Sequence, residues 1–391
     1  KRDVVAAQKN VLNLEVKYPP MSAEPPDPKG AAGAPASAPR LASLDQFRGY
    51  TVLGKLPGNL SGSQRQERPT AHALRDATRA PTLIPSDTLN RNEFLSRSDG
   101  VRDMAGPALP MDDRDGVIWY NGNLVPWREA KAHVLIHSLH YGNSVFEGER
   151  IYNGKVFKLR EHSERLHKSA NMLAYELPYS VEELDRATEL VVKENKLDSG
   201  YVRPLAWRGA EVIGVSAIGT KVHVMIAAFP WGAYYGQKAI KLVTSRWKRP
   251  SPESSPAGSK AAGLYIICTL AKDEALAAGV QDALMHDYKG RLSEATGANL
   301  FLAINGELHT PTTETILNGI TRQTVMELAR KRGIKVVERE IWPDELAKAS
   351  EVFLTGTAVE VQPVSAIDKQ EFEVGPITQQ MIADYSALVR S

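Results

Sequence analysis

Three Asn-Gly dipeptides, Asn121-Gly122, Asn153-Gly154 and Asn305-Gly306, each interrupt a run of apolar and β-branched residues, as in "VIWYNGNLVPW", "ERIYNGKVFKLR" and "FLAINGELHTP". Asn-Gly accepts the positive φ angles of a two-residue hairpin turn, and such a turn can only join antiparallel neighbours. Lys289-Gly290 in "HDYKGRLSEA" is a further turn. Between the hairpins lie helical patterns, "LREHSERLHKSANMLAY" and "SVEELDRATELVVKENKL"; Ser180 with Glu183 three residues on has capping-box spacing. Strands and helices therefore come in separate runs, which predicts an α+β fold.

The texture changes near residue 110. The first 110 residues hold 13 of the 24 prolines and stretches such as "AEPPDPKGAAGAPASAPR", with little sustained apolar periodicity. This predicts a disordered extension without a packed core, or an upstream region that does not belong to the protein, with Met111 as a natural start. It has no apolar segment after a basic start, and its eleven acidic residues do not suit a transit peptide. The rest predicts a small domain over 111–230, a connecting loop over 231–241 marked by Gly232, Gly236 and aromatics, and a large domain over 242–391. A formal charge of +2 gives no electrostatic footprint for nucleic acid or an anionic membrane. No apolar run approaches the roughly 18 residues of a membrane span. One cysteine, Cys268, cannot form an internal disulfide, and "YIICTLAK" reads as burying it as an apolar side chain. Small-molecule partners and a cytoplasmic location are the expectation.

Lys260 sits in "SPESSPAGSKAAGLYI" among Ser, Ala, Gly and Pro, where nothing acidic is offered as a partner. Only a free amine attacks a carbonyl, and small apolar neighbours that withhold solvent lower a lysine pKa. Small residues also allow a flat ring to approach the backbone. Glu294 in "RLSEATGANLF" falls in a strand pair followed by an apolar run. A carboxylate buried there needs a partner, and a protonated pyridine nitrogen is one. In "LNGITRQTVMELARKRGIKV", Asn318-Gly319 leads into a helix that Gly333 ends. Its N-terminus at Ile320 and Thr321 offers free N–H groups to a phosphate. "VFLTGTAVEV" then adds Thr355-Gly356-Thr357, whose hydroxyls and amides suit a phosphate oxygen or a carboxylate.

The order of lysine, glutamate, "NGITR" and "TGTA" resembles the class IV, fold-type IV pyridoxal-phosphate aminotransferases, most closely the bacterial branched-chain amino acid aminotransferases. The stretches "HYGNSVFEGERIY", "REHSERLHKSA", "YVRPLAWRG", "AAFPWGAY", "SKAAGLY", "LSEATGANLF", "LNGITR" and "FLTGTAVEV" carry the resemblance across roughly residues 115–365. It implies a two-domain fold like that of D-amino acid aminotransferase, with pyridoxal 5'-phosphate as cofactor. Lys260 then corresponds to the lysine that binds the cofactor covalently and moves the substrate proton, and Glu294 to the partner of the pyridine nitrogen. Arg165, Ile320, Thr321 and Thr357 correspond to the phosphate end of the cofactor site, Leu317 to a further cofactor-binding residue, and Tyr265 to the tyrosine beside the ring. Phe146, Tyr141 and Tyr234 correspond to pocket residues, with Tyr141 supplied by a neighbouring subunit. Tyr201 and Arg203 correspond to the pair that receives substrate carboxylates, and Thr357 and Ala358 to the loop that holds the α-carboxylate.

The implied reaction is a ping-pong transfer of an amino group between leucine, isoleucine or valine and 2-oxoglutarate, in a homodimer or hexamer. Amino acids and 2-oxo acids are its small-molecule partners. Asn318 stands where the commoner bacterial pattern has proline, and Ala298 where it often has glutamate. "RGAEVIGVSAIG" differs more, so the substrate range is less fixed than the reaction. D-amino acid or amine aminotransferases, the lyase that makes 4-aminobenzoate, and a non-catalytic cofactor-binding protein remain as alternatives. His133, His137 and His140 have spacings that suit a metal on a helix, but "VLIHSLHYG" reads as strand and turn, so no metal is expected. The chain has no Walker loop, GxGxxG or GxSxG motif. Deleting residues 1–110 should leave the melting temperature and leucine turnover nearly unchanged, because a segment without a core contributes few buried contacts. A calorimetric scan and an activity assay on the truncated chain check this.

Overall fold

In a computed structural model the described residues are 110–391, except Ala233, Gly236 and Gln237. The expected extension therefore lies outside the described residues, apart from Pro110.

The first sheet is built from β1 (Val117–Tyr120), β2 (Asn123–Pro126), β3 (Val145–Phe146), β4 (Glu149–Tyr152), β5 (Lys155–Val156), β6 (Gly200–Arg208) and β7 (Val222–Phe229). Its order is β2-β1-β7-β6-β4-β5, with β3 also on β6, and every pairing is antiparallel. The Asn-Gly turns lie where expected: Asn121 and Gly122 have φ of 49° and 94°, and Asn153 and Gly154 have 50° and 72°. Three helices accompany this sheet, α1 (His137–Tyr141), α2 (Leu159–Met172) and α3 (Val181–Glu194). Ser180 and Glu183 form the capping box, with Ser180 N–H donating to Glu183 Oε2 at 2.7 Å and Glu183 N–H to Ser180 Oγ at 3.3 Å. The segment read as strand and turn at "VLIHSLHYG" is instead the short helix α1, closed by Gly142 at φ 67°. Backbone bonding decides this: His137 N–H reaches Gly209 O and Gly142 N–H reaches Ser138 O, so no ladder partner is left for a strand.

Strand alternation gives the sheet two unlike faces. Trp119, Ile151, Val202, Val224 and Ile226 face α2 and α3 in a core completed by Leu166, Leu184 and Val191. Ile118, Tyr201, Ala227 and Phe229 cluster on the other face with Trp127.

The second sheet contains β8 (Ile240–Arg249), β9 (Asp282–Asp287), β10 (Leu292–Ala295), β11 (Asn299–Ile304), β12 (Glu307–Pro311), β13 (Val336–Arg339), β14 (Glu351–Gly356), β15 (Glu360–Ile367) and β16 (Gln370–Glu371). Its order is β10-β9-β8-β15-β14-β11-β12-β13, with β16 on β15. An extra pairing of β10 with β11 closes six of these strands into a ring, and the closing pair is Glu294 opposite Asn299. The helices are α4 (Ile266–Ala277), α5 (Ile320–Lys331) and α6 (Pro376–Val389). Leu300, Leu302, Val352, Leu354 and Val364 share one core cluster, while Phe301 and Phe353 join a second one with Val325, Met326 and Met381 of α5 and α6. The two phenylalanines stack at 5.1 Å, and burying each ring stabilises the fold by about 1.5–3 kcal/mol. Ile240 and Lys241, assigned to the connecting loop in the sequence reading, open β8.

Glu149 of β4 is buried beneath α2 and α3, and neither of its carboxylate oxygens has a hydrogen-bond partner. Burial raises its pKa well above the ordinary carboxylate value, and the nearby charges of Glu147 and Asp185 push the same way. The folded protein thus holds a proton that the unfolded chain releases, so stability is lost as pH rises from the unfolded pKa near 4.5 toward the folded one. Relative to wild type, Glu149→Gln should gain stability between pH 5 and pH 8, at up to about 1.4 kcal/mol per pH unit. Denaturant unfolding at the two pH values measures this, and an equal offset at both would contradict it.

Candidate active site

The segment carrying Lys260 runs antiparallel to residues 142–146 of the first half. Phe146 N–H donates to Lys260 O at 3.1 Å, Ala262 N–H to Ser144 O at 2.8 Å and Gly263 N–H to Gly142 O at 2.9 Å. A Cβ at Gly263 would lie 2.9 Å from Gly142 O, so this glycine serves the approach of two backbones. At this position the small side chain makes room for another chain segment; the sequence reading had assigned that role to a ring. A 3₁₀ turn over Ala262–Tyr265 then swings Tyr265 back, and Lys260 Nζ donates to Tyr265 Oη at 2.7 Å. Burial, and next the positive charge of Arg165, bring the Lys260 pKa down to about 8. Burial pushes the Tyr265 pKa up, so its hydroxyl keeps its proton.

Two adjoining cavities meet at Lys260, Tyr265, Tyr201 and Ala358. The inner one, of about 90 Å³, is also lined by Arg165, Glu294, Leu317, Ile320, Thr321 and Thr357. The outer one, of about 1040 Å³, adds Phe146, Arg203 and Tyr234. Thirteen of the fourteen site residues expected from the sequence thus line one connected space. Tyr141 does not. It is exposed on α1 and lines a separate groove with Leu139, Leu205, Trp207 and Ile266, so within a single chain it is no part of the cavity around Lys260.

Glu294 is buried and receives Asn299 Nδ2 at 3.0 Å, while Arg249 Nε lies 3.2 Å from its Oε1. Burial raises the Glu294 pKa, opposed first by Arg249 and then by Lys260. Asn299 also donates to Leu317 O at 2.9 Å, tying the carboxylate to the approach of α5. Arg249 in turn contacts Cys268 Sγ at 3.4 Å. Cys268 is buried as expected, and burial lifts its thiol to about 11.

Arg165 on α2 meets Glu147 through two parallel bonds, Nε to Oε1 and Nη2 to Oε2, both at 2.7 Å. His162 Nδ1 lies 2.7 Å from the same carboxylate. Glu147 is fully buried, and the charge of Arg165 holds its pKa well below the usual range despite desolvation, which is the largest influence on it. The guanidinium keeps Nη1 for the cavity side, 3.5 Å from Asn318 O. On the outer wall Tyr201 and Arg203 share one face of β6, with Arg203 Nη2 donating to Tyr201 Oη at 3.3 Å and its guanidinium 4.7 Å above the Phe146 ring. Gly148 is required there, because a Cβ would sit 1.8 Å from Tyr201 Oη.

Glu147, His162, Arg249 and Asn299 escaped the sequence reading. Glu147 lies between β3 and β4 and Arg165 on α2, so no single helical or strand period runs through both. Asn299 had a usable signal, since a tight turn over Thr296–Ala298 puts it opposite Glu294.

The donor set suits pyridoxal phosphate. The N-terminus of α5 has no side-chain cap at Gly319 and opens on the inner cavity beside Thr357, leaving first-turn N–H groups for a phosphate. Thr355 Oγ1 is buried there without a hydrogen-bond partner. A lysine with a lowered pKa and a buried carboxylate complete the set.

The amino-transferase class IV family model matches residues 144–367, and the chain belongs to that family. It is 44% identical over 292 residues to a branched-chain-amino-acid aminotransferase of Pseudomonas aeruginosa, covering 72% of this chain and 95% of that one. The corresponding Escherichia coli enzyme is 41% identical over 277 residues, 68% of this chain and 90% of that one. Among solved structures, the Thermoproteus uzoniensis branched-chain aminotransferase with norvaline superposes with a TM-score of 0.69 at 37% identity, covering 71% of this chain and 95% of that one. The Thermobaculum terrenum branched-chain amino acid aminotransferase in its PLP-bound holo-form gives 0.67 at 30% identity, covering 71% and 95%. The fold is that of the fold-type IV aminotransferases, and the cofactor is pyridoxal 5'-phosphate. No metal-binding group of three or more ligands occurs among the described residues.

Because Glu147 and Arg165 are buried together, breaking the pair should be costly. Glu147→Gln is expected to lower the unfolding free energy of the cofactor-free protein by about 3–5 kcal/mol. Asp115→Asn, at the exposed pair with Arg128, should change it immeasurably. Denaturant unfolding of both variants makes the comparison.

Proposed function

We propose that this chain is a branched-chain-amino-acid aminotransferase that moves the amino group reversibly between leucine, isoleucine or valine and 2-oxoglutarate. The named relatives support the reaction, and one feature of the outer cavity supports the substrate pair. Arg203 lies over the Phe146 ring, so an apolar surface and a cation meet at the place where side chains must be sorted. Buried Arg203 Nε has no hydrogen-bond partner, which leaves a donor for a carboxylate. Leucine would be received on the aromatic wall and the γ-carboxylate of glutamate by the guanidinium fork.

Pyridoxal phosphate, when bound, supplies the electron sink that makes an amino acid α-proton removable. Lys260 would hold it covalently, and Glu294, kept in place by Arg249 and Asn299, would face the ring nitrogen. Arg165 Nη1, Ile320, Thr321, Thr357 and the Leu317 segment would hold the phosphate end. With a pKa near 8, roughly a tenth of the Lys260 amine of the cofactor-free protein is neutral at pH 7 and able to attack the cofactor aldehyde. Once the substrate amine has displaced it, Lys260 Nζ would take the proton from the substrate α-carbon and pass it to the cofactor, and would carry it the opposite way in the reverse half-reaction, with Tyr265 Oη fixing where the amine points. Tyr201 Oη and the Thr357–Ala358 amides receive the α-carboxylate, and Tyr234 closes the outer pocket.

The two sheets correspond in this reading to a small and a large domain joined near residues 231–239. The working unit is a homodimer, supported by the exposed apolar groove around Leu139, Tyr141 and Ile266, from which Tyr141 would reach a neighbouring site. A cytoplasmic location is part of the proposal, supported by the lone cysteine; no helix among the described residues is long and apolar enough to cross a membrane.

Titrating the holoprotein with L-leucine should shift the cofactor absorbance, and Lys260→Ala should abolish turnover. Arg203→Ala should lower kcat/KM for glutamate and 2-oxoglutarate by about 2–5 kcal/mol and alter the leucine half-reaction much less. Single-turnover half-reactions separate the two, and an equal loss for both donors would assign Arg203 to a shared role instead.

A further inference from the structure

Glu360 opens β15 with φ of 57°, in the left-handed region that side chains rarely adopt and that glycine usually fills. It closes the turn over Thr357–Val359, where Gly356 pairs with Glu360. Its carboxylate accepts a hydrogen bond from Tyr152 Oη at 2.7 Å and lies 3.7 Å from Arg390. Tyr152 comes from β4 of the other sheet, yet its ring is buried in the cluster of α5 and α6 with Phe353 and Tyr385. The Tyr385 hydroxyl lies against those of both Tyr152 and Thr321, and Thr321 stands in the first turn of α5. Tyr152 and Tyr385 both pack on Phe157, at 6.5 and 5.9 Å, so one buried cluster connects the α5 helix to the turn that carries Thr357 and Ala358.

We propose that Glu360, Tyr152 and Tyr385 form a positioning network that sets the Thr357–Ala358 turn relative to the N-terminus of α5. The network touches neither substrate nor cofactor. It fixes the distance between the group that holds a phosphate and the group that holds a carboxylate, and so rests on the site assignment proposed above. Burial keeps both tyrosines protonated, Tyr385 to about 12, so the hydroxyls remain donors throughout the working pH range. The left-handed backbone at Glu360 makes the dependence visible: without its side-chain partners, nothing in the structure favours glutamate over glycine there.

Two arms test this. Tyr385→Phe, which removes the hydroxyl and keeps the packed ring, should weaken recombination of the cofactor-free protein with pyridoxal phosphate by about 3- to 10-fold, the order of one polar contact. This arm reads cofactor retention alone. It decides the network even if wild-type protein does not respond to leucine, an outcome that would overturn the aminotransferase reading instead. Tyr152→Phe and Glu360→Gly holoproteins should raise the half-saturating leucine concentration in single-turnover experiments by a similar factor, with the limiting rate changed less than about twofold. Isopentylamine, which is leucine without its carboxylate, should react with both variants as with wild type. Glu360→Gly relieves the backbone and removes the acceptor, so weakened leucine binding with an unchanged or raised melting temperature supports positioning. Unchanged cofactor and leucine affinities, or an equal loss for isopentylamine, would overturn the proposal.

Discussion

Three backbone hydrogen bonds, between residues 142–146 and the Lys260–Gly263 segment, carry the rest of the site. They bring a lysine from the second half against the edge of the first, with the small side chains of Gly142 and Gly263 permitting the contact. Solvent is excluded because segments attached to the two sheets meet there, and that exclusion lowers the lysine pKa. A lysine in the same Ser-Gly-Ala-rich sequence but on a free loop would keep its ordinary value.

Charge is handled by pairing. Arg165 is satisfied by Glu147 on two nitrogens, and Glu294 by Arg249 and Asn299, so each group facing the cavity is anchored from behind. Buried pairs of this kind need their geometry supplied by rigid elements. Here α2, β8 and the β10–β11 seam supply it. Because Glu294 and Asn299 are also the residues that close the second sheet into a ring, the carboxylate is as fixed as the barrel itself. Glu149 is the exception, a buried carboxyl without a partner, and it tolerates burial only with its proton on.

Much of the architecture was legible. The three Asn-Gly hairpins, the Ser180–Glu183 cap and the α5 start at Gly319 follow from local chemistry that needs no distant partner. Tyr201 and Arg203 share a face because strand geometry has a period of two, which their spacing already states. The reading of α1 as strand and turn failed for the opposite reason. Five residues are too few for a periodicity to declare itself, and its first backbone bond is made to Gly209, 72 residues beyond His137.

Motif order and residue type pointed to the lysine, the carboxylate, the helix N-terminus and the pocket aromatics, because those groups carry chemistry that constrains residue identity. The groups behind them were not legible. Glu147, His162 and Arg249 act through contacts made by elements far apart in sequence, and any buried acid or base in a similar position would look the same in one dimension. Tyr141 shows the remaining gap, since a single folded chain places it on an outer groove away from its own cavity. The sequence determined which functional groups exist and which local turns and caps form, since both depend on short-range sterics and side-chain chemistry. Tertiary structure decided which charges are paired, which protons are held and which walls meet, because burial and Coulombic interaction depend on distances that only packing sets.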